Sequence, residues 1–263
     1  MTFTVWQSLF LGIVQGLTEL LPISSSAHLK ILPWLLWDIQ DIGAFDVALH
    51  AGTLLAIACF FFKDWIAMLV GAYKKVIKKE DNFQGRIFLY LVIATIPGGI
   101  IGFILDKYFE DLLMKPLIIA IALIIMGIIL YFVDKKSKSD TTYEKMNFKQ
   151  TFIIGLSQAL AFIPGVSRSG ITMTTARSMG VDRESAAKYS FMLSAPIVLA
   201  ATIYKLDEFI LSIPFFIGVL TSFIVGIFVI KFLLKYLQKG SLKIFAIYRV
   251  IFGIIILAKI FLI

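Results

Sequence analysis

The chain has 263 residues, of which 59% are hydrophobic and 16% charged, where soluble domains carry roughly 45–50% apolar and about 25% charged residues. So much hydrocarbon excludes a soluble fold, and at about 20 apolar residues per crossing the length suffices for about six to eight spans joined by short loops. The net charge of +8 does not signal a nucleic-acid partner, because the basic residues lie in short loops between apolar runs rather than on one face.

The first 29 residues contain no Lys or Arg, so the positive start of a secretory leader is missing and the segment is expected to stay in the fold. Its apolar stretch 4–21 breaks at Pro22 into Ile23-Ser24-Ser25-Ser26. Gln15 and Glu19, four apart, share one helix face. A carboxylate at membrane depth is costly and a functional candidate by default; its other use is a hydrogen bond closing the turn at Pro22. The serines stand where a new helix begins, with His28 and Lys30 in its first turns. Serine is a preferred N-cap, and the free amides of a helix start also attract phosphate. Glu, Ser and His within ten residues exceed what capping needs, so the segment reads as catalytic.

Six spans follow in order: 45–62, 87–105, 116–133, 183–204, 214–234 and 244–263. Between the third and fourth, the apolar stretch 148–163 breaks at Pro164 into Gly165-Val166-Ser167-Arg168-Ser169-Gly170. Glycines allow close backbone approach to a ligand, and Arg168 offers a planar fork matched to phosphate oxygens; its other use is an ion pair with Glu19. The spacing is not that of a nucleophile elbow. Non-helical backbone at membrane depth is tolerated only against protein or a watery cavity, so both interrupted segments read as re-entrant hairpins. His50, about two turns into its span, serves a site or an interfacial hydrogen bond equally well. Arg177, Arg183 and Arg249 are expected to snorkel. Cys59 is the single cysteine, which rules out an intrachain disulfide and a paired-cysteine metal site.

The loops 63–86, 134–149 and 231–243 carry six, five and four basic residues and are expected in the cytoplasm, with the acidic or balanced loops 106–115 and 205–212 outside. The first hairpin then enters from outside and the second from the cytoplasm. Gly12-Ile13-Val14-Gln15 aligns with Gly155-Leu156-Ser157-Gln158, Leu21-Pro22 through Ser25 with Ile163-Pro164 through Ser167, and Leu49 through Ala56 with Leu193 through Ala200. Such order argues for an inverted repeat, whose sites lie at the repeat interface on interrupted helices. The expected fold is one all-α polytopic membrane domain, 1–263, of six spanning helices and two opposed re-entrant hairpins, with repeats of about 1–134 and 147–263.

The run from Gln15 and Glu19 through Pro22-Ile23-Ser24-Ser25-Ser26 to His28 resembles the first signature of the undecaprenyl pyrophosphate phosphatase family (BacA, or UppP). Pro164 through Gly170 resembles its second, and Phe245-Ala246-Ile247-Tyr248-Arg249 is similar to its C-terminal stretch. Gln15 takes the Gln option of the first signature, leaving one carboxylate there. The resemblance implies hydrolysis of undecaprenyl diphosphate at the outer face of the cytoplasmic membrane, recycling the carrier lipid for wall polymers, and with it bacitracin resistance. It also implies a divalent cation, Mg²⁺ or Ca²⁺. Phosphoryl transfer needs charge stabilisation and a nucleophile in line. Arg168 is therefore expected to clamp the diphosphate, with Gln15, Ser24, Ser26, Gly165, Ser167, Ser169 and Gly170 completing the binding set. Glu19 is expected to hold the metal or to position the nucleophile. Ser25 attacks with His28 as base, or the reverse, or water attacks directly; the sequence leaves all three open. Phe10, Phe162 and Phe191 are candidate contacts for the isoprenoid tail. Expected partners are the polyprenyl diphosphate and membrane lipids, with a homodimer as an option. The rival reading is a lipid or ion transporter or flippase, an architecture that also uses inverted repeats but needs no nucleophile.

Overall fold

The computed structural model describes residues 3–39 and 42–262, with side chains except at 105–107 and 109–112; the last residue of the sixth expected span, Ile263, lies outside them. The described residues form helices α1 (Val5–Thr18), α2 (Ser25–Trp37), α3 (Ala44–Phe60), α4 (Phe62–Ile77), α5 (Phe83–Leu113), α6 (Pro116–Lys136), α7 (Phe148–Ser157), α8 (Arg168–Ser178), α9 (Arg183–Tyr204), α10 (Ile213–Leu237) and α11 (Lys243–Leu262). Five of them, α5, α6, α9, α10 and α11, are each long and apolar enough to cross a membrane. The remaining expected span, 45–62, is α3, which qualifies only together with α4, at a bend of 73°. The chain is an all-helical, multi-pass membrane protein. Phe228 and Phe232 on α10 and Ile254 and Ile255 on α11 are exposed, which suits a hydrocarbon solvent and not water.

Two expected loops are helical instead. Residues 62–77 form α4, whose Met68 and Gly71 are buried while Ile66, Leu69, Val70 and Tyr73 are exposed. The apolar stripe interleaved with Lys63, Lys74 and Lys75 carries a helix that reading the segment by charge alone hides. Most of 106–115 continues α5 to Leu113.

The two interrupted segments are built alike. Thr4 caps α1 by accepting from Gln7 N at 3.2 Å, and Gln7 Oε1 accepts from Thr4 N at 2.9 Å. Asn147 and Gln150 make the same reciprocal box at the start of α7, each box satisfying two orphan amides. After the breaks, α2 and α8 start at N-caps Ser24 and Ser167, whose φ values of 78° and 70° lie in a region that costs a non-glycine residue about 1–3 kcal/mol. Their hydroxyls accept from Ala27 N and Gly170 N.

Packing around α1 depends on small residues. A Cβ at Gly12 would come 2.7 Å from Gly218 O, and one at Gly16 2.6 Å from Val225 Cβ, so these two glycines let α1 and α10 meet backbone to backbone. At one end of the molecule Arg177 is fully buried. Its Nε donates to Asp134 Oδ1 at 3.0 Å, and its remaining donors reach Ser137 O, Lys138 O, Ser139 Oγ and Val181 O. Arg183 Nε shares the same carboxylate at 2.8 Å. Arg177 therefore does not snorkel, because Asp134, at the end of α6, gives it a partner inside the protein, while Arg183 stays partly exposed.

Candidate active site

The two breaks meet. Ser169 Oγ donates to Glu19 O at 3.1 Å and Leu21 O at 3.0 Å, and Gly165 N donates to Ser24 Oγ at 3.1 Å. Arg249, fully buried on α11, donates Nη1 to Pro22 O at 3.2 Å and Nη2 to Gly165 O and Val166 O at 2.7 and 2.9 Å. The expectation that Arg249 snorkels is thus overturned. Three carbonyls that the broken helices leave without amide partners are taken by one guanidinium, which also ties the turns together. Gly165 has φ of +96°, and a Cβ there would stand 2.6 Å from Ile119 O, so only glycine fits this crossing.

Inside this knot lies Glu19, buried. Its Oε2 accepts from Ser25 Oγ at 2.5 Å and from Gln15 Nε2 at 3.4 Å, and stands 3.1 Å from His50 Nε2. Its Oε1 lies 3.4 Å from Arg168 Nη2. Gln15 Nε2 also reaches Thr53 Oγ1 at 3.5 Å. Thus Gln15, Glu19, Ser25 and Arg168 converge, and the ion pair between Arg168 and Glu19 is part of the same cluster as the serine. Arg168 Nη1 and Gln15 Oε1 are buried without a hydrogen-bond partner. A buried donor and acceptor left open cost about 1–3 kcal/mol each, and such groups mark a place for a ligand.

Other expected site residues hold the architecture. Ser169 spends its hydroxyl on backbone carbonyls, and Ser167 and Ser24 act as N-caps, with Ser26 Oγ 3.2 Å from Ser24 Oγ. Gly170 makes room for Arg249, whose Nη1 would lie 2.5 Å from a Cβ. His28 is brought to the turn but not to Ser25. Its Nδ1 is 2.7 Å from Ser24 O, its Nε2 2.7 Å from Tyr248 Oη, and its ring stacks on Phe252 at 4.4 Å. With both nitrogens engaged elsewhere, the expected pairing of His28 with Ser25 as base and nucleophile is not formed. Spacing alone, three residues on one helix, placed them together; the rotamer that serves Ser24 O and Tyr248 separates them.

Sequence reasoning left His50 open between a site and the interface, and the structure puts it on the carboxylate. It passed over Gln158, Thr53 and Asp46, whose backbone O accepts from His50 Nδ1 at 2.9 Å. The signal for His50 was an ionisable ring inside a span; for Gln158 it was the alignment with Gln15.

A cavity of about 180 Å³ is lined by His50, Arg168, Gln158 and Asp46 together with Phe162 and Val198. Polar and apolar side chains share this lining, as an amphiphile requires. Phe191 is buried in the core against Phe61, and Phe10 packs edge-on against Trp37 at 5.6 Å, so neither stands on it. A larger cavity, about 360 Å³, lies by Phe3, Phe45 and Phe215 and contains none of these polar groups.

Residues 8–255 match the model of the family described as bacitracin resistance protein BacA. The chain is 45% identical over 258 residues to an undecaprenyl-diphosphatase of Pelotomaculum thermopropionicum, covering 97% of this chain and 96% of that one. It is 46% identical over 255 residues to an undecaprenyl-diphosphatase of Desulforudis audaxviator, covering 96% of each chain. A third, from Caldicellulosiruptor bescii, is 46% identical over 261 residues and 97% of each chain. The match covers both broken segments and reaches into the last span, and the chain belongs to the bacitracin resistance protein BacA family.

Proposed function

We propose that the chain is an undecaprenyl-diphosphatase, a membrane hydrolase that splits undecaprenyl diphosphate into undecaprenyl phosphate and inorganic phosphate and so supports cell-wall synthesis and bacitracin resistance. One observation carries the chemistry: a serine hydroxyl on a buried carboxylate at 2.5 Å, with an arginine donor left open beside it. In this reading Ser25 Oγ attacks the terminal phosphorus and its proton passes to Glu19. The anhydride P–O bond breaks and undecaprenyl phosphate leaves. Water then attacks the phosphoserine, Glu19 returns its proton to Ser25 Oγ, and phosphate departs carrying both protons of the water. Arg168 binds the equatorial oxygens through its open Nη1, while Gln15 and His50 hold the Glu19 carboxylate in place. The isoprenoid runs along the wall at Phe162 and Val198.

For Mg²⁺ or Ca²⁺ the fit is that of an ion arriving on the diphosphate. Among the described residues no group of three or more His, Cys, Asp and Glu side chains converges as a metal cage. Gln15 Oε1, buried and without a partner, and the Glu19 carboxylate are hard oxygen donors of the kind such ions take, the rest of the shell coming from phosphate and water. Such an ion would neutralise negative charge on the diphosphate.

Helix neighbours support the inverted repeat. The first helix of each broken segment packs on a span of the other half, α1 on α10 and α7 on α5; α3 and α9 make the matching contacts to α10 and α5, and α6 pairs with α11. With the basic loops in the cytoplasm, the site opens toward the outer face. A homodimer is compatible with the exposed apolar faces. Phosphate release from undecaprenyl diphosphate by the purified protein tests the function, and its absence alongside lipid transport would favour the flippase reading.

A further inference from the structure

Gln158, on the lining of the cavity at Arg168, is a group that this chemistry does not use. Gln158 is 1% exposed, its Nε2 donates to Ala94 O at 3.3 Å, and it packs on Gly98, where a Cβ would stand 2.6 Å from Gln158 Cγ. A backbone carbonyl only accepts, so the amide nitrogen must face Ala94 and the amide oxygen must face away. That oxygen, Oε1, is buried and has no partner. Gln158 and Arg168 line the same cavity; Asp46 Oδ1, the other acceptor on that lining without a hydrogen bond, lies 3.2 Å from His50 Nδ1, which leaves Gln158 Oε1 and Arg168 Nη1 as the acceptor and the donor with nothing opposite them.

A small group that satisfies both must carry an anionic oxygen for Arg168 Nη1 and a hydroxyl for Gln158 Oε1. Phosphate with a proton is such a group. An anion without a proton satisfies Arg168 and sets a lone pair against Oε1. Hydrolysis itself delivers a protonated phosphate, since both protons of the attacking water leave on the product.

We propose that Gln158 reads the proton on phosphate: it accepts a hydrogen bond from a P–OH oxygen held by Arg168 and thereby selects phosphate over anions of the same shape that lack a proton. The proposal rests on reading the site as a diphosphatase. It makes Gln158 a specificity residue, placed by its alignment with Gln15 in the other half of the chain.

The test uses purified full-length protein in lipid and two probes, inorganic phosphate and sulfate, with binding measured by calorimetry so that it does not depend on turnover. Wild type is expected to bind phosphate at least about tenfold more tightly than sulfate at mildly acid pH, a difference of about 1.4 kcal/mol. The preference should persist as phosphate loses its second proton, because HPO4²⁻, equal in charge to sulfate, still carries one P–OH. Gln158→Leu should bring the ratio to about one with sulfate affinity retained, which also shows that the variant is folded. Gln158→Glu keeps an acceptor, so both affinities should fall while the preference survives. A preference unchanged in Gln158→Leu, or a wild type that binds neither anion, overturns the proposal. Turnover of undecaprenyl diphosphate by the wild type, measured separately, tests the diphosphatase reading itself. A raised KM for the lipid in Gln158→Leu places the recognition on the substrate as well as on the released phosphate.

Discussion

Ser25 Oγ and Glu19 Oε2, six residues apart in the chain, stand 2.5 Å apart across the break between α1 and α2. The contact exists because α1 ends at Thr18 with Glu19 as its C-cap, and Ser24 starts α2 at a positive φ beyond Pro22, which brings the carboxylate over the new N-terminus. Arg249 and Ser169 fix that geometry from outside the turn.

If this pair attacks, wild-type protein quenched in acid during turnover of labelled lipid diphosphate carries an acid-stable phosphate on Ser25. Acid-labile label, or label on any other residue, speaks against Ser25 as the nucleophile.

His28 has no free nitrogen for Ser25, so its loss acts through the turn. His28→Ala should lower turnover by about the same factor at every pH, and Tyr248→Phe by a few fold, in line with one hydrogen bond of about 1 kcal/mol. The pH–rate profiles of both variants check this. Activity in His28→Ala that climbs with pH marks hydroxide replacing a missing base and gives His28 the role expected from the sequence.

Arg168→Lys keeps the charge and loses the fork, and should reduce turnover at least about tenfold, about 1.4 kcal/mol of transition-state binding. Steady-state kinetics read this directly, and unchanged kinetics would reduce Arg168 to an ion-pair partner of Glu19.

Arg249→Lys should be damaging in a different way. A lysine cannot reach Pro22, Gly165 and Val166 together, and buried carbonyls left without donors cost about 1–3 kcal/mol each. The expected result is a clear drop in the thermal unfolding temperature in detergent, larger than for Arg168→Lys. Equal stability of the two variants contradicts the role given to Arg249.

Much of this was readable in the sequence because membrane depth makes polar residues conspicuous. Glu19, Ser25 and Arg168 stand out against apolar runs, and the prolines at 22 and 164 mark the breaks. Rotamers were not readable: the ring of His28 turns to Tyr248, 220 residues away, which no local spacing reports. The snorkelling expected of Arg177 and Arg249 failed for a related reason, since buried carbonyls and Asp134 supplied partners from distant segments. Helix α4 was hidden because its lysines read as a loop.

Sidedness rests on the basic loops. In a Cys59→Ser background, cysteines at Lys78 and Lys138 should label from the cytoplasm and one at Asp207 from outside. Labelling of Lys78 and Asp207 from one side contradicts opposed halves.

Whether the Glu19–Ser25 pair hydrolyses a lipid diphosphate is read from the phosphate released from undecaprenyl diphosphate by purified wild type, Ser25→Ala and Glu19→Gln. Wild type should release phosphate catalytically. Both variants should fall by at least about a thousandfold, roughly 4 kcal/mol, while still binding the lipid. No release by the wild type, or release by Ser25→Ala at the wild-type rate, contradicts the account.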